Sequence, residues 1–163
     1  MRYRLHKLLY GPVGSTQVER LERGPTKFDD DLQVPYLRGA FEFVRLSHVV
    51  LLRGSVETEV PVRCVRSLED FNLCLKVPLE DILFGLPQYP HSDADPDRQI
   101  GDDGWVDLTE TLREEIIMAI PINPVHPKYV TASPADLLSA LDEDDRDWLT
   151  VHLNNSQDSS GES

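Results

Sequence analysis

Cys64 and Cys74 are the only thiols in this chain of 163 residues, and neither has an evident histidine partner nearby to act as its base. The five histidines, His6, His48, His91, His126 and His152, are scattered, and three stand beside proline or in expected loops. No Gly-x-Ser-x-Gly elbow, phosphate-binding Gly-x-x-x-x-Gly-Lys run or Gly-x-Gly-x-x-Gly turn occurs. Carboxylates are plentiful, but plenty in an acidic chain does not pair an acid with a base. Asp29-Asp30-Asp31 lacks the spaced oxygen ligands and the glycine of a calcium loop, so it reads as a solvated turn. These residues point away from catalysis, and neither an enzyme nor a small-molecule substrate is expected.

What remains is guanidinium chemistry. Arg45, Arg53, Arg63 and Arg66 fall in or next to one β-rich stretch, and Arg2, Arg4 and Lys7 on another strand candidate. Arginines on an exposed sheet face suit planar contacts to phosphate. They equally suit pairing with Glu57 and Glu59 on the same face, which would leave a neutral surface. The chain as a whole carries a formal charge of −13, which opposes nucleic-acid binding in general. Its charge is uneven, however. Residues 1–53 hold nine Lys/Arg against six Asp/Glu, and residues 54–163 hold seven against 23. A local basic face on an acidic body is one reading, and chance plus an acidic loop and tail is the other.

The element that must position the arginines is a long antiparallel hairpin over residues 49–79. Counting by twos, Val50, Leu52, Gly54, Val56, Thr58, Val60, Val62 and Cys64 share one face. Arg53, Ser55, Glu57, Glu59, Pro61 and Arg63 share the other. The return strand alternates Phe71, Leu73, Leu75 and Val77 with Asn72, Cys74 and Lys76, after a turn at Arg66–Asp70. Cys64 thus reads as a buried small hydrophobe. Cys74 falls on the opposite face, which argues against a bridge between the two.

Elsewhere, Arg2–Leu9 reads as a first strand with a basic outer face, broken by Gly11-Pro12-Val13-Gly14. Residues 15–33 carry no clear periodicity. Arg38–Leu46 is a further strand, and Ile82-Leu83-Phe84 continues the apolar character after the hairpin. Residues 88–104 form a long acidic loop. Leu112, Ile116, Ala119 and Ile120 recur at helical spacing, behind a capping-box pattern at Asp107-Leu108-Thr109-Glu110. Ser133-Pro134 opens a shorter helix to about Leu141. The run Asp142–Asp147 leads to Trp148, and the tail 154–163 has no apolar residue and no expected structure.

The run Cys64-Val65-Arg66-Ser67-Leu68-Glu69 resembles the Cys-x-Arg-Cys-Leu-Glu turn of the YceD family, which is linked to accumulation of large-subunit ribosomal RNA. Further matching blocks are Gly104-Trp105-Val106-Asp107-Leu108, Leu112-Arg113-Glu114-Glu115 with Ala119-Ile120-Pro121, and Asp145-Arg146-x-Trp148-Leu149. Many sequences of that family resemble zinc proteins, pairing the turn cysteines with a later cysteine cluster. A structural zinc site needs four thiolate or imidazole ligands. Here Ser67 stands at the second turn position, and Pro121–His126 offers one histidine and no cysteine. Neither metal nor cofactor is therefore expected.

The resulting expectation is a single α+β domain over residues 1–153 with a mainly antiparallel sheet, open or closed into a barrel, and two or three packed helices. A chain of this length can bury about 70% of its unfolded surface. No apolar run approaches the roughly 20 residues of a membrane span, and no secretory leader is evident. Reduced thiols then fit the cytoplasm. The resemblance implies a non-enzymatic factor whose partner is large-subunit ribosomal RNA or a cationic ribosomal protein, with Arg45, Arg53, Arg63 and Arg66 as candidate contacts. A zinc-stabilised or redox-sensitive module, or an acidic interaction module unconnected to ribosomes, is the alternative.

Overall fold

The computed structural model describes residues 1–90, 94–95 and 97–130. The helix expected from Ser133, the run around Trp148 and the tail from Asn154 lie outside them. The described chain is α+β, with mainly antiparallel strands and three helices. In order these are β1 (Arg2–Arg4), α1 (His6–Leu9), β2 (Thr16–Arg23), β3 (Thr26–Lys27), β4 (Gln33–Val34), β5 (Leu37–Arg45), β6 (Val49–Arg63), β7 (Asp70–Gly85), β8 (Trp105–Asp107), α2 (Thr109–Ala119) and α3 (Pro127–Val130). Strands β2-β5-β6-β7 form one sheet in that order, with β1-β8 and β3-β4 as two-stranded ribbons. The sheets are open rather than closed into a barrel. Two compact units divide the described residues: 1–60 with those of 72–121, and 61–71 with 122–130.

The first unit is built on apolar burial. Phe41, Phe43, Leu52, Leu79, Phe84, Leu112 and Ile116 are all buried, each worth about 1.5–3 kcal/mol relative to exposure. Phe41 and Phe43 meet edge-on at 5.7 Å between centroids, and Tyr3 meets Phe41 edge-on at 5.2 Å. The expected parity of β6 holds at Val50, Leu52, Val56, Thr58, Val60 and Cys64, all buried. Val62 on that face is only half-buried, and Gly54 is exposed, at φ 149°, where a Cβ would lie 2.6 Å from the Cα of Phe41. In β7 the buried positions are Leu75, Val77 and Leu79, then Ile82 and Phe84. The parity flips at Asp81, whose φ of 56° inserts one residue as a bulge would.

Three expectations are corrected. The segment Arg2–Leu9 is a strand only to Arg4 and then turns helical. Leu5, Leu8 and Leu9 are all buried, a spacing of i, i+3 and i+4 that a strand would split between two faces. Residues 15–33, which lacked a readable period, hold the eight-residue strand β2, paired along its length with β5. It is an edge strand rich in charge, as edges that avoid further pairing are. At the start of α2 the capping box does not form. Asp107 accepts the Thr109 N–H at 2.9 Å, and Glu110 bonds Arg113 instead of reaching back.

Candidate functional site

The four arginines do not assemble into one cationic face. Arg45, expected among exposed residues, is buried, and its Nε and Nη1 have no partner among the described residues. Arg53 is exposed but donates from Nε and Nη2 to one Glu42 oxygen at 2.9 and 2.7 Å. Glu42 is its directly opposite residue on β5. Neither Glu57 nor Glu59 is its partner, because they lie four and six residues further along the strand, about 13 and 20 Å at about 3.3 Å per residue, while cross-strand Cβ atoms sit about 5 Å apart. Arg63 makes an exposed pair with Asp70 at 3.3 Å. Of the four, only Arg66 faces solvent with no carboxylate paired to it among the described residues, and its Nη1 donates to the carbonyl of Tyr129 at 3.0 Å.

Arg66 belongs to the better-built site, within the second unit. The backbone closes the turn after β6 through Cys64 N–H to Glu69 carbonyl and Leu68 N–H to Cys64 carbonyl, both 2.9 Å. Leu68 sits at φ 60°, a left-handed conformation that costs a leucine roughly 1–2 kcal/mol. Residues 124–130 lie against this turn. Val65 N–H donates to the Pro124 carbonyl at 3.0 Å, and the Tyr129 hydroxyl to Glu69 at 2.9 Å. Tyr129 is buried, whereas Val65, Arg66 and Leu68 are exposed at the tip. Phe71 packs on the His126 ring at 4.8 Å.

At the centre lies the Cys64 sulfur, on the buried side that strand parity assigned to it. It accepts N–H groups from His126 at 3.4 Å and Ser67 at 3.5 Å. Burial alone would push its pKa up. The donors of His126, Ser67 and Arg66 outweigh burial and hold the thiol at about 7, against an ordinary value of 9. Glu69 is pulled below the usual carboxylate range, first by the Tyr129 hydroxyl and then by Ser67. Cys74 contrasts with this: exposed, and bonded to Glu59, it is pushed up.

This arrangement is not that of a zinc site, and the Cys64 sulfur has no ring nitrogen beside it among the described residues to serve as a base. Cys64 and His126 are joined through the backbone N–H of His126, not its ring. The Nδ1 of that ring accepts the Lys128 N–H at 3.1 Å. With Ser67 in the second turn position, one thiol and one imidazole nitrogen remain, and no three ligating side chains cluster among the described residues. The donor set does not fit a four-coordinate structural zinc. Main-chain N–H groups instead gather around the sulfur. Sequence reading found Cys64, Arg66 and His126 but missed Tyr129, a buried aromatic with a hydroxyl in a proline-rich stretch whose position depends on contacts 60 residues away in sequence.

No helix of the described residues is long and apolar enough to cross a membrane. No curated protein and no solved structure gives a match. A family described as "Large ribosomal RNA subunit accumulation protein YceD" matches residues 52–155, a span that begins in β6 and contains the whole Cys64–Glu69 turn. By that match the chain belongs to the YceD family.

Proposed function

We propose that this chain is a non-enzymatic factor supporting accumulation of large-subunit ribosomal RNA, and that it engages the assembling particle in the cytoplasm through the Cys64–Glu69 turn. Family membership over residues 52–155 carries the reading. The geometry supports a contact role: the turn is fixed from behind by Tyr129 and the Cys64 sulfur while its tip, with the Arg66 guanidinium, faces outward. An arginine whose fork is oriented by a carbonyl loses less freedom on meeting a phosphate. The strongly acidic remainder suits a cationic ribosomal protein as a second partner on the same particle. The test is depletion followed by measurement of the ratio of large- to small-subunit ribosomal RNA. The ratio falls on depletion and returns with the wild-type chain; Arg66→Glu restores it only in part. An unchanged ratio on depletion refutes the function, and full rescue by Arg66→Glu refutes the role of the turn.

A further inference from the structure

Residues 1–51 precede the family match, yet they hold a second feature that could meet a ribosomal particle. A cleft of about 840 Å³ opens between α1 and β2, lined among others by Arg4, His6, Lys7, Ser15, Gln17 and Glu19. Its volume falls within the roughly 300–1,000 Å³ of ligand sites. Residues 1–23 carry five Lys/Arg against two Asp/Glu in a chain of charge −13. Arg4 and Lys7 are exposed and make no ion pair among the described residues. Glu19, the one lining carboxylate among the described residues, accepts a hydrogen bond from Gln17 at 2.8 Å, and Gln17 also donates to the Arg4 carbonyl at 3.0 Å.

Aromatic rings stand beside these charges. The His6 ring meets Tyr10 at 4.9 Å between centroids, tilted by 55°, and Tyr10 is 70% exposed. Opposite Arg4 in the β1-β8 register is Trp105, partly exposed, with the Arg2 guanidinium 5.5 Å from its ring centroid. Asp103 is the nearby acid, 3.9 Å from Arg2. Exposed cations lining a cleft, with the His6 ring in its wall and Tyr10 against that ring, match the needs of a single-stranded nucleic acid. Phosphates meet Arg or Lys, and unpaired bases stack on aromatic faces.

We propose that this N-terminal cleft binds single-stranded RNA, with Arg4 and Lys7 on successive phosphates and the His6–Tyr10 pair stacking a base. The assignment to RNA rests on the ribosomal reading above; the cleft and its chemistry do not. An acidic protein segment would use the same cations but would gain nothing from Tyr10.

The test uses the full chain and a labelled short single-stranded RNA, read by fluorescence anisotropy. Wild-type affinity falls steeply as salt rises, and the log–log slope becomes shallower by about 0.7 for each of Arg4→Glu and Lys7→Glu. Tyr10→Ala weakens RNA binding about tenfold without altering that slope. Lys76→Glu, an equal charge change on exposed β7, leaves the slope unaltered. Far-ultraviolet circular dichroism verifies that each variant is folded. Absence of RNA binding by the wild type overturns the proposal, as does equal loss from Lys76→Glu. Indifference to Tyr10→Ala together with equal affinity for a polyglutamate peptide overturns it in favour of an acidic protein ligand. Should the cleft variants lose RNA binding in vitro yet restore the ribosomal RNA ratio in depleted cells, the cleft binds RNA but is not needed for the family function. If depletion leaves the ratio unchanged while RNA still binds through the cleft, the family reading fails and the cleft survives it.

Discussion

The two compact units solve the same problem with different chemistry. The first is held by rings and aliphatic chains: Phe41, Phe43, Phe84 and Leu52 are all but inaccessible, and its exposed ion pairs sit on the outside. The described part of the second gathers around a sulfur atom, a tyrosine hydroxyl and a set of main-chain N–H groups. Apolar burial is non-directional, so the sheet tolerates changes in detail. A polar knot depends on each partner being in place, and a missing one leaves a buried group unsatisfied. The contrast shows how a short turn with few apolar residues can hold a fixed shape through directional polar contacts.

Substitutions should separate the two. Phe43→Ala, in the middle of the sheet, is expected to cost about 3–5 kcal/mol by urea denaturation. A loss below 1 kcal/mol would mean that the aromatic cluster is not the core of the first unit. Cys64→Ala leaves the His126 and Ser67 N–H groups without an acceptor, at about 1–3 kcal/mol. This loss carries a pH signature. The folded thiol titrates near 7 and the unfolded one near 9, so the unfolded chain binds more protons between them and stability rises with pH across that window. The contribution is full above about 9 and disappears as pH falls through about 7. The gap between wild type and Cys64→Ala should therefore widen from pH 7 to 9, and a constant gap would show that the sulfur stays protonated.

Smaller effects follow from single bonds. Tyr129→Phe removes the hydroxyl from Glu69 and is expected to cost about 0.5–1.5 kcal/mol. Arg53→Ala breaks an exposed pair with Glu42 and should stay within about 1 kcal/mol, shrinking further with salt. If Arg53→Ala cost more than Tyr129→Phe, the distinction between outer charge and inner polar knot would collapse.

Legibility in the sequence followed the same division. The hairpin could be read because one-sided burial imposes a period of two, and that period correctly buried Cys64 and exposed Cys74. It failed where the backbone broke the period: at Asp81, whose positive φ re-aims Ile82 and Phe84, and at Leu5–Leu9, where the buried trio demanded a helix. Strand β2 was hidden because an edge strand lined with Glu19, Arg20, Glu22 and Arg23 lacks hydrophobic alternation. Salt-bridge partners were also beyond reach. Arg53 pairs with Glu42 across the β5-β6 hairpin, and that choice depends on the cross-strand register rather than on residues along β6. The turn motif pointed to Cys64 and Arg66, but Tyr129 enters only through the tertiary fold.

Sucrose-gradient fractionation of cell extract tests the functional claim most directly. The account predicts that the protein travels with precursors of the large ribosomal subunit, and that Arg66→Glu shifts it toward the light fractions. A wild-type protein found only at the top of the gradient, away from every ribosomal particle, would contradict it.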